Sequence, residues 1–313
     1  MKKRITVVGS SNVDLIMKMD RLPRVGESVT DADFRQTFGG KGANQAYAAT
    51  LAGRTSPPTE VTFVSCVGDD AYGAQVIENM RAAGANVEHV FVEPGVATGT
   101  ALIMIGEAGR NYISVAPGAN YCLRPEHVER AAAAIDACDL LVLQYEVPVE
   151  TGIAAARRAH AHGIPVMLNL APPRPISDDF LSMLDYFVVN ETEAAFVLGF
   201  DVDSDKNVRR AAAALLARGP RNVIITLGEK GAFVATGDGQ SALVPSFPVT
   251  AIDTTAAGDT FCGAFAVALL ENRPPLEAAH FANAAAAITV TRLGAQAAVP
   301  TREEIDEFQI SRS

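Results

Sequence analysis

Asp253-Thr254-Thr255-Ala256-Ala257-Gly258-Asp259-Thr260 follows a short run containing Val249 and Ile252 and opens a strongly apolar helical pattern over residues 261–270. Small residues at a helix start leave several backbone N–H groups uncovered. Those groups and the helix dipole together attract anions. Asp259 falls in the first turn and has two readings. It complements the helix dipole, or it takes a proton from a hydroxyl beside an anion-stabilising helix start, the combination that phosphoryl transfer uses.

Outward from this segment, short apolar runs at 5–8, 61–67, 140–143, 166–170, 187–189 and 223–227 alternate with helical patterns near 41–52, 72–83, 126–136, 150–162, 191–198 and 206–218. Continuous apolar strands alternating with helices predict an α/β fold, with a mostly parallel sheet covered on both faces. Ligands in such folds sit beyond the carboxyl ends of the strands. Asn12, Asp14, Glu146, Asn190 and Thr226 fall there. Two stretches break the rhythm. Residues 13–38 read as extended, and 97–116 read as a hairpin turning at Gly106-Glu107-Ala108-Gly109. With no helix to cover them, they are expected to form a small sheet that buries one face under a closing movement or against a partner subunit.

Composition narrows the function classes. The chain's 313 residues, 49% of them hydrophobic, suffice for one large domain or two smaller ones. A net charge of −10 opposes nonspecific binding to nucleic acid or anionic lipid. Cys66, Cys122, Cys138 and Cys262 show no metal-ligand spacing and suit a reducing cytosol. The apolar run after Lys2-Lys3-Arg4 is too short for a signal peptide, and nothing approaches a membrane span. A cytoplasmic location is therefore expected.

Gly39-Gly40-Lys41-Gly42-Ala43-Asn44 enters a helix but fails the P-loop pattern, because Lys41 is followed by Gly42. Its glycines admit a ligand to the backbone, and Asn44 offers a donor and an acceptor suited to sugar hydroxyls, or simply caps the helix. Asn12 and Asp14 share one face of an extended segment and can grip adjacent hydroxyls; a solvated turn is the alternative. Glu146 reads equally as a hydroxyl acceptor or as surface. Asn190-Glu191-Thr192-Glu193 reads as a capping box whose Glu193 could also hold Mg²⁺ through water. The glycines of Thr226-Leu227-Gly228-Glu229-Lys230-Gly231 let a nucleotide phosphate approach the backbone.

Taken together, these segments resemble the ribokinase-like sugar kinases, the PfkB family, which also includes adenosine kinase and fructokinases. The resemblance runs over nearly the whole chain. It is carried by Gly39 to Gln45, by the D-T-x-A-A-G-D-x motif at 253–260 and by the N-x-x-E motif at 190–193. It implies a single three-layer α/β sandwich over 1–313, with a small β-sheet lid whose strands are inserted at about 13–38 and 97–116. The implied activity is ATP-dependent phosphorylation of the 5-hydroxyl of D-ribose. Alternatives are a kinase for 2-deoxyribose or a nucleoside, and a non-catalytic sugar-binding regulator. In the implied site Asp259 is the base and Ala256, Ala257 and Gly258 form the anion hole. Asn12, Asp14, Gly40, Lys41, Asn44 and Glu146 hold the sugar. Asn190, Thr226, Gly228, Gly231, Gly258 and Asn283 lie along the nucleotide, and Glu193 serves Mg²⁺. A K⁺ site falls on Asp253, Thr255, Thr289, Arg292, Gly294 and Ala298, where Ala298 replaces a frequent Ser and so removes one hydroxyl. A homodimer through the lid is also implied.

Overall fold

The computed structural model describes residues 2–106 and 111–312. Its strands are β1 (Arg4–Val8), β2 (Asn12–Lys18), β3 (Asp33–Gly39), β4 (Glu60–Gly68), β5 (Asn86–Glu93), β6 (Thr100–Ile105), β7 (Asn111–Ala116), β8 (Leu140–Leu143), β9 (Val166–Asn169), β10 (Tyr186–Asn190), β11 (Asn222–Thr226), β12 (Ala232–Thr236) and β13 (Ser241–Val244). Nine of them form one sheet in the order β13-β12-β11-β10-β9-β8-β1-β4-β5. From β11 to β5 every neighbouring pair is parallel; β12 pairs antiparallel with both β11 and β13 and is the one strand of this sheet that runs the other way.

Alternate residues of the same strand enter opposite cores, as the pleat requires. On β1, Ile5 and Val7 join the layer that contains the helices Lys41–Ala52, Ala257–Leu270 and Pro275–Thr289. Val8 joins the opposite layer, with the helices Val149–Ala161 and Asp205–Leu216. Burial on both faces is why these strands carry continuous apolar runs.

From β1 the chain winds to β4 and β5 on one side, and from β8 through β11 on the other. The winding therefore reverses between β1 and β8, which opens a crevice at their carboxyl ends. The segment Gly9 to Asn12 leaves β1 there, and Gln144 to Glu146 leave β8 there.

The remaining four strands form a separate sheet, β3-β2-β6-β7, in which β2 and β6 are parallel. Both stretches read from the sequence as extended thus contribute to one small sheet. Glu107, Ala108 and Gly109 of the expected hairpin turn lie outside the described residues. On one face Val13, Leu15 and Phe38 pack against Val67 and Val76. The register aligns Ile16, Ile103 and Ile113 in a row across the other face, the one that carries Asp14. Ile113 and Val115 on that face are more than half exposed.

Where the sequence predicts one helix over 126–136, the chain makes two short ones, Pro125–Arg130 and Ala132–Asp136, broken at Ala131. No helix among the described residues is long and apolar enough to cross a membrane.

Candidate active site

The helix Ala257–Leu270 begins after Ala256, which adopts a left-handed conformation with φ 60°. A non-glycine residue there is strained by roughly 1 kcal/mol or more, and such strain persists only where the surroundings enforce it. The turn aims the first N–H groups of the helix outward. Among the described residues, those of Gly258 and Asp259 donate to no protein acceptor. Asp259 lies in the same turn and is buried.

A close helix–helix approach fixes what Asp259 meets. Gly263, one turn further along, packs so tightly on the helix Lys41–Ala52 that an added Cβ would lie 2.6 Å from the Gln45 carbonyl oxygen. At that separation Asn44 Nδ2 donates to Asp259 Oδ2 at 2.9 Å, and Gln45 Nε2 donates to Asp259 Oδ1 at 3.1 Å.

The helix Lys41–Ala52 starts at Gly40, whose φ of 87° and closeness to Ser11 and Asn12 leave no room for a side chain. Glu146 accepts from the Lys41 N–H at 2.9 Å and from the Ser10 hydroxyl at 2.7 Å. It therefore anchors the helix start to the loop after β8, and Ser10 is a partner that sequence reading missed. The Asp259 carboxylate raises the Lys41 ammonium above its ordinary pKa, with support from Glu146 and Glu193 and against the effect of burial.

Asn12 and Asp14 both lie on β2 and are buried. Asn12 Oδ1 accepts from Asn120 Nδ2 at 2.8 Å. Asn120 also grips the Ser11 backbone through both its Oδ1 and its Nδ2. By contrast, no donor among the described residues reaches the Asp14 carboxylate. Burial first, then the charges of Glu146 and Asp259, push its pKa from 3.8 up to about 6. The unfolded value is the lower one, so ionising Asp14 favours the unfolded chain. The penalty develops as pH rises from about 4 through about 6 and is complete above that. Asp14→Asn is thus expected to stabilise the protein by roughly 2–3 kcal/mol at pH 8 and by little near pH 4. Thermal unfolding of both proteins across that range checks this, and a gap independent of pH contradicts it.

A cavity of about 230 Å³ is lined by Lys41, Asn169, Asn190, Glu193, Thr226, Thr254 and the 256–259 turn with Cys262. Asn190 and Glu193 form the expected capping box, with Glu193 Oε2 accepting from the Asn190 N–H at 2.9 Å and Asn190 Oδ1 from the Glu193 N–H at 2.8 Å. Glu193 Oε1 keeps no protein donor among the described residues. One carboxylate oxygen is thus left for a cation held through water. Burial raises the pKa of Glu193.

Gly228 and Gly231 bound the single turn between β11 and β12, where Leu227 N–H donates to the Gly231 carbonyl at 2.8 Å. Neither they nor Asn283 line the cavity. The Asn283 amide nitrogen is committed to the carbonyls of Val244 and Pro245 at 3.0 and 3.1 Å.

The 253–255 loop is stapled to the 290–294 segment. Asp253 Oδ1 accepts from the Thr255 N–H and hydroxyl, Oδ2 accepts from the Gly294 N–H at 2.9 Å, and the Ile252 N–H donates to the Val290 carbonyl at 2.7 Å. Partial burial alone would raise Asp253, but these donors outweigh it and hold the carboxyl below its ordinary value. Thr289 Oγ1 bonds back to the Ala285 carbonyl, and the Arg292 guanidinium pairs with Glu304. Ala298 is fully buried.

A profile of the pfkB family carbohydrate kinase matches residues 2–302. The chain is 40% identical over 308 residues to a ribokinase of Haemophilus influenzae, covering 98% of this chain and 99% of that protein. It is 38% identical over 305 residues to a deoxyribokinase of Salmonella typhi, covering 97% and 98%. The structure of Arabidopsis thaliana ribokinase complexed with ribose and ATP matches with a TM-score of 0.91 at 31% identity, covering 98% of this chain and 99% of that one.

Proposed function

Because the chain belongs to the pfkB family of carbohydrate kinases, we propose that it uses ATP to phosphorylate the 5-hydroxyl of D-ribose. The observation that carries this reading is the pairing of Asp259 with free N–H groups in the same helical turn, at the wall of the cavity. Asp259 takes the proton of the attacking hydroxyl, while the turn 256–258 and Lys41 offset charge on the transferred phosphoryl group. Asn12, Asp14, Gly40, Lys41, Asn44 and Glu146 hold the sugar. The unpaired Asp14 carboxylate supports this, since a buried acceptor without a protein donor is satisfied by adjacent sugar hydroxyls. Asn190, Thr226, Gly228 and Gly231 lie along ATP, with Asn283 behind them. Mg²⁺, which neutralises phosphate charge when bound, is held through water by Glu193.

The deoxyribokinase likeness makes 2-deoxyribose the second reading. A site built on hydroxyl contacts rejects an analogue lacking one, because its own polar group is left unpaired. ADP release measured with D-ribose, 2-deoxyribose, fructose and adenosine separates the readings. The highest kcat/KM on ribose is the expected result, and preference for another substrate overturns it.

The small sheet is proposed to close over the sugar and to pair with the same sheet of a second copy in one 1–313 domain. The apolar residues on the Asp14 face, where Ile113 and Val115 are more than half exposed, support this, and a twofold arrangement is the common solution for a self-complementary face. Sedimentation is expected to return a dimer, and Ile113→Lys a monomer. A wild-type monomer at micromolar concentration removes the pairing. K⁺ is proposed to bind between the 253–255 loop and residues 289–298, through Asp253, Thr255, Thr289, Arg292, Gly294 and Ala298, largely by their carbonyls.

A further inference from the structure

We propose that Gln45 and Gln296 are positioning residues for Asp259, each belonging to a chain of side-chain amides that ends on one carboxylate oxygen. This rests on the reading of Asp259 as the base. Gln45 is fully buried. Its Nε2 donates to both Asp259 Oδ1 and Asn169 Oδ1 at 3.1 Å, and its Oε1 accepts from Gln144 Nε2 at 2.8 Å. On the other side Asn79 Nδ2 donates to Gln296 Oε1 at 2.6 Å. Gln296 Nε2 donates to Asn44 Oδ1 at 3.2 Å, and Asn44 Nδ2 reaches Asp259 Oδ2 at 2.9 Å.

Both chains run in one direction. Gln45, Gln296 and Asn44 each accept at the oxygen from the member behind and donate from the nitrogen towards Asp259, while Gln144 heads its chain with a buried Oε1 that has no partner among the described residues. The carboxylate imposes that polarity: a flipped Gln45 would aim Oε1 at an anion. Holding each oxygen separately prevents the carboxylate from swinging and leaves its remaining lone pairs aimed at the cavity. Misplacing a reacting group by roughly 1 Å can cost about a hundredfold in rate. The other titratable groups that face Asp259 are Lys41 from the helix Lys41–Ala52, Asp14 from β2, Glu193 from the helix Glu191–Leu198 and Cys262 from its own helix.

The test is steady-state kinetics of Gln45→Met and Gln296→Met on ribose, kcat and KM separately, with melting temperatures. Methionine keeps length and removes the donors. For Gln45→Met, kcat is expected to fall about ten- to a hundredfold, the worth of a hydrogen bond to a charged group. KM for ribose should stay within about threefold, since the loss falls on the transition state. Gln296→Met acts through Asn44 and should show a smaller fall of about three- to tenfold. If Gln45→Met does not fold, Gln296→Met decides. A lower melting temperature with kcat unmoved, or a loss that falls on KM instead of kcat, assigns the amides to packing and overturns the proposal. If the wild type does not phosphorylate ribose, or Asp259→Asn stays active, the functional reading fails instead.

Discussion

Asp259→Asn is expected to lower kcat on ribose by about 10²–10⁴-fold, the usual range for loss of a general base, while ribose affinity changes little. The substitution keeps shape and volume, so the close packing around Gly263 is preserved. It does disturb the hydrogen bonding. Asn44 and Gln45 each donate to one oxygen of the carboxylate, and an amide presents only one oxygen, so one N–H is left facing another. A stability loss of about 1–3 kcal/mol should accompany the kinetic loss. Circular dichroism and ribose titration separate the two effects. If Asp259 only complemented the helix dipole, the cost would be about 0.3–1 kcal/mol of stability with no effect on turnover. Turnover within a few-fold of wild type would establish that reading.

K⁺ is expected to raise activity more than Na⁺ at equal ionic strength, by up to about a hundredfold. The effect would come through the backbone. Asp253 ties the loop before the catalytic helix to Gly294, and Ala256 in its strained turn connects that loop to the N–H groups of Gly258 and Asp259. A cation held by carbonyls on both segments would fix the loop from its other side, and a small loop shift would displace the proposed anion hole at 256–258 and the proposed base Asp259 together. Ala298 contributes no hydroxyl, so a water takes that position or the affinity is lower. Equal rates in K⁺, Na⁺ and a bulky organic cation, with no bound cation in an anomalous-scattering experiment, would remove the site from the account.

The central sheet was legible because its strands are buried on both faces and so carry unbroken apolar runs; β8 matches the predicted 140–143 residue for residue. The edges were not. Asn86–Glu93 interleaves Val87 with Glu88 and His89, and β13 is a short, half-exposed strand whose pattern does not stand out from loop sequence, whereas Ala232-Phe233-Val234-Ala235 of β12 is a buried apolar run that the sequence reading passed over. Asp259, Glu193 and the small residues 256–258 could be singled out because their chemistry shows in local sequence, and they line the cavity; Gly228 and Gly231, singled out in the same way, do not. Gln45, Gln144, Asn169 and Gln296 were not singled out, since a buried amide looks like any polar residue until its partner is known. Gln45 could have been suspected, as a large polar residue in a run of Gly and Ala that opens a helix. Gln296 offers no such signal; its bond to Asn44 spans 252 residues.

The placement of β1 between β4 and β8 also governs how the protein is made. The first half emerges from the ribosome with one edge of β1 unpaired, because Arg4 must wait for Asp139, 135 residues later. The alanine-rich face of the helix Lys41–Ala52 waits longer still, for the helix Ala257–Leu270. Contacts this distant in sequence fold slowly and leave apolar surface open during synthesis. The cleft is the last region to be completed, since Asn44 meets Asp259 across 215 residues. A nascent chain stalled before residue 259 has every strand of the sheet but lacks Asp259, the proposed base. Turnover therefore registers only molecules whose two halves have closed on each other, which makes it a stricter gauge of complete folding than secondary-structure content.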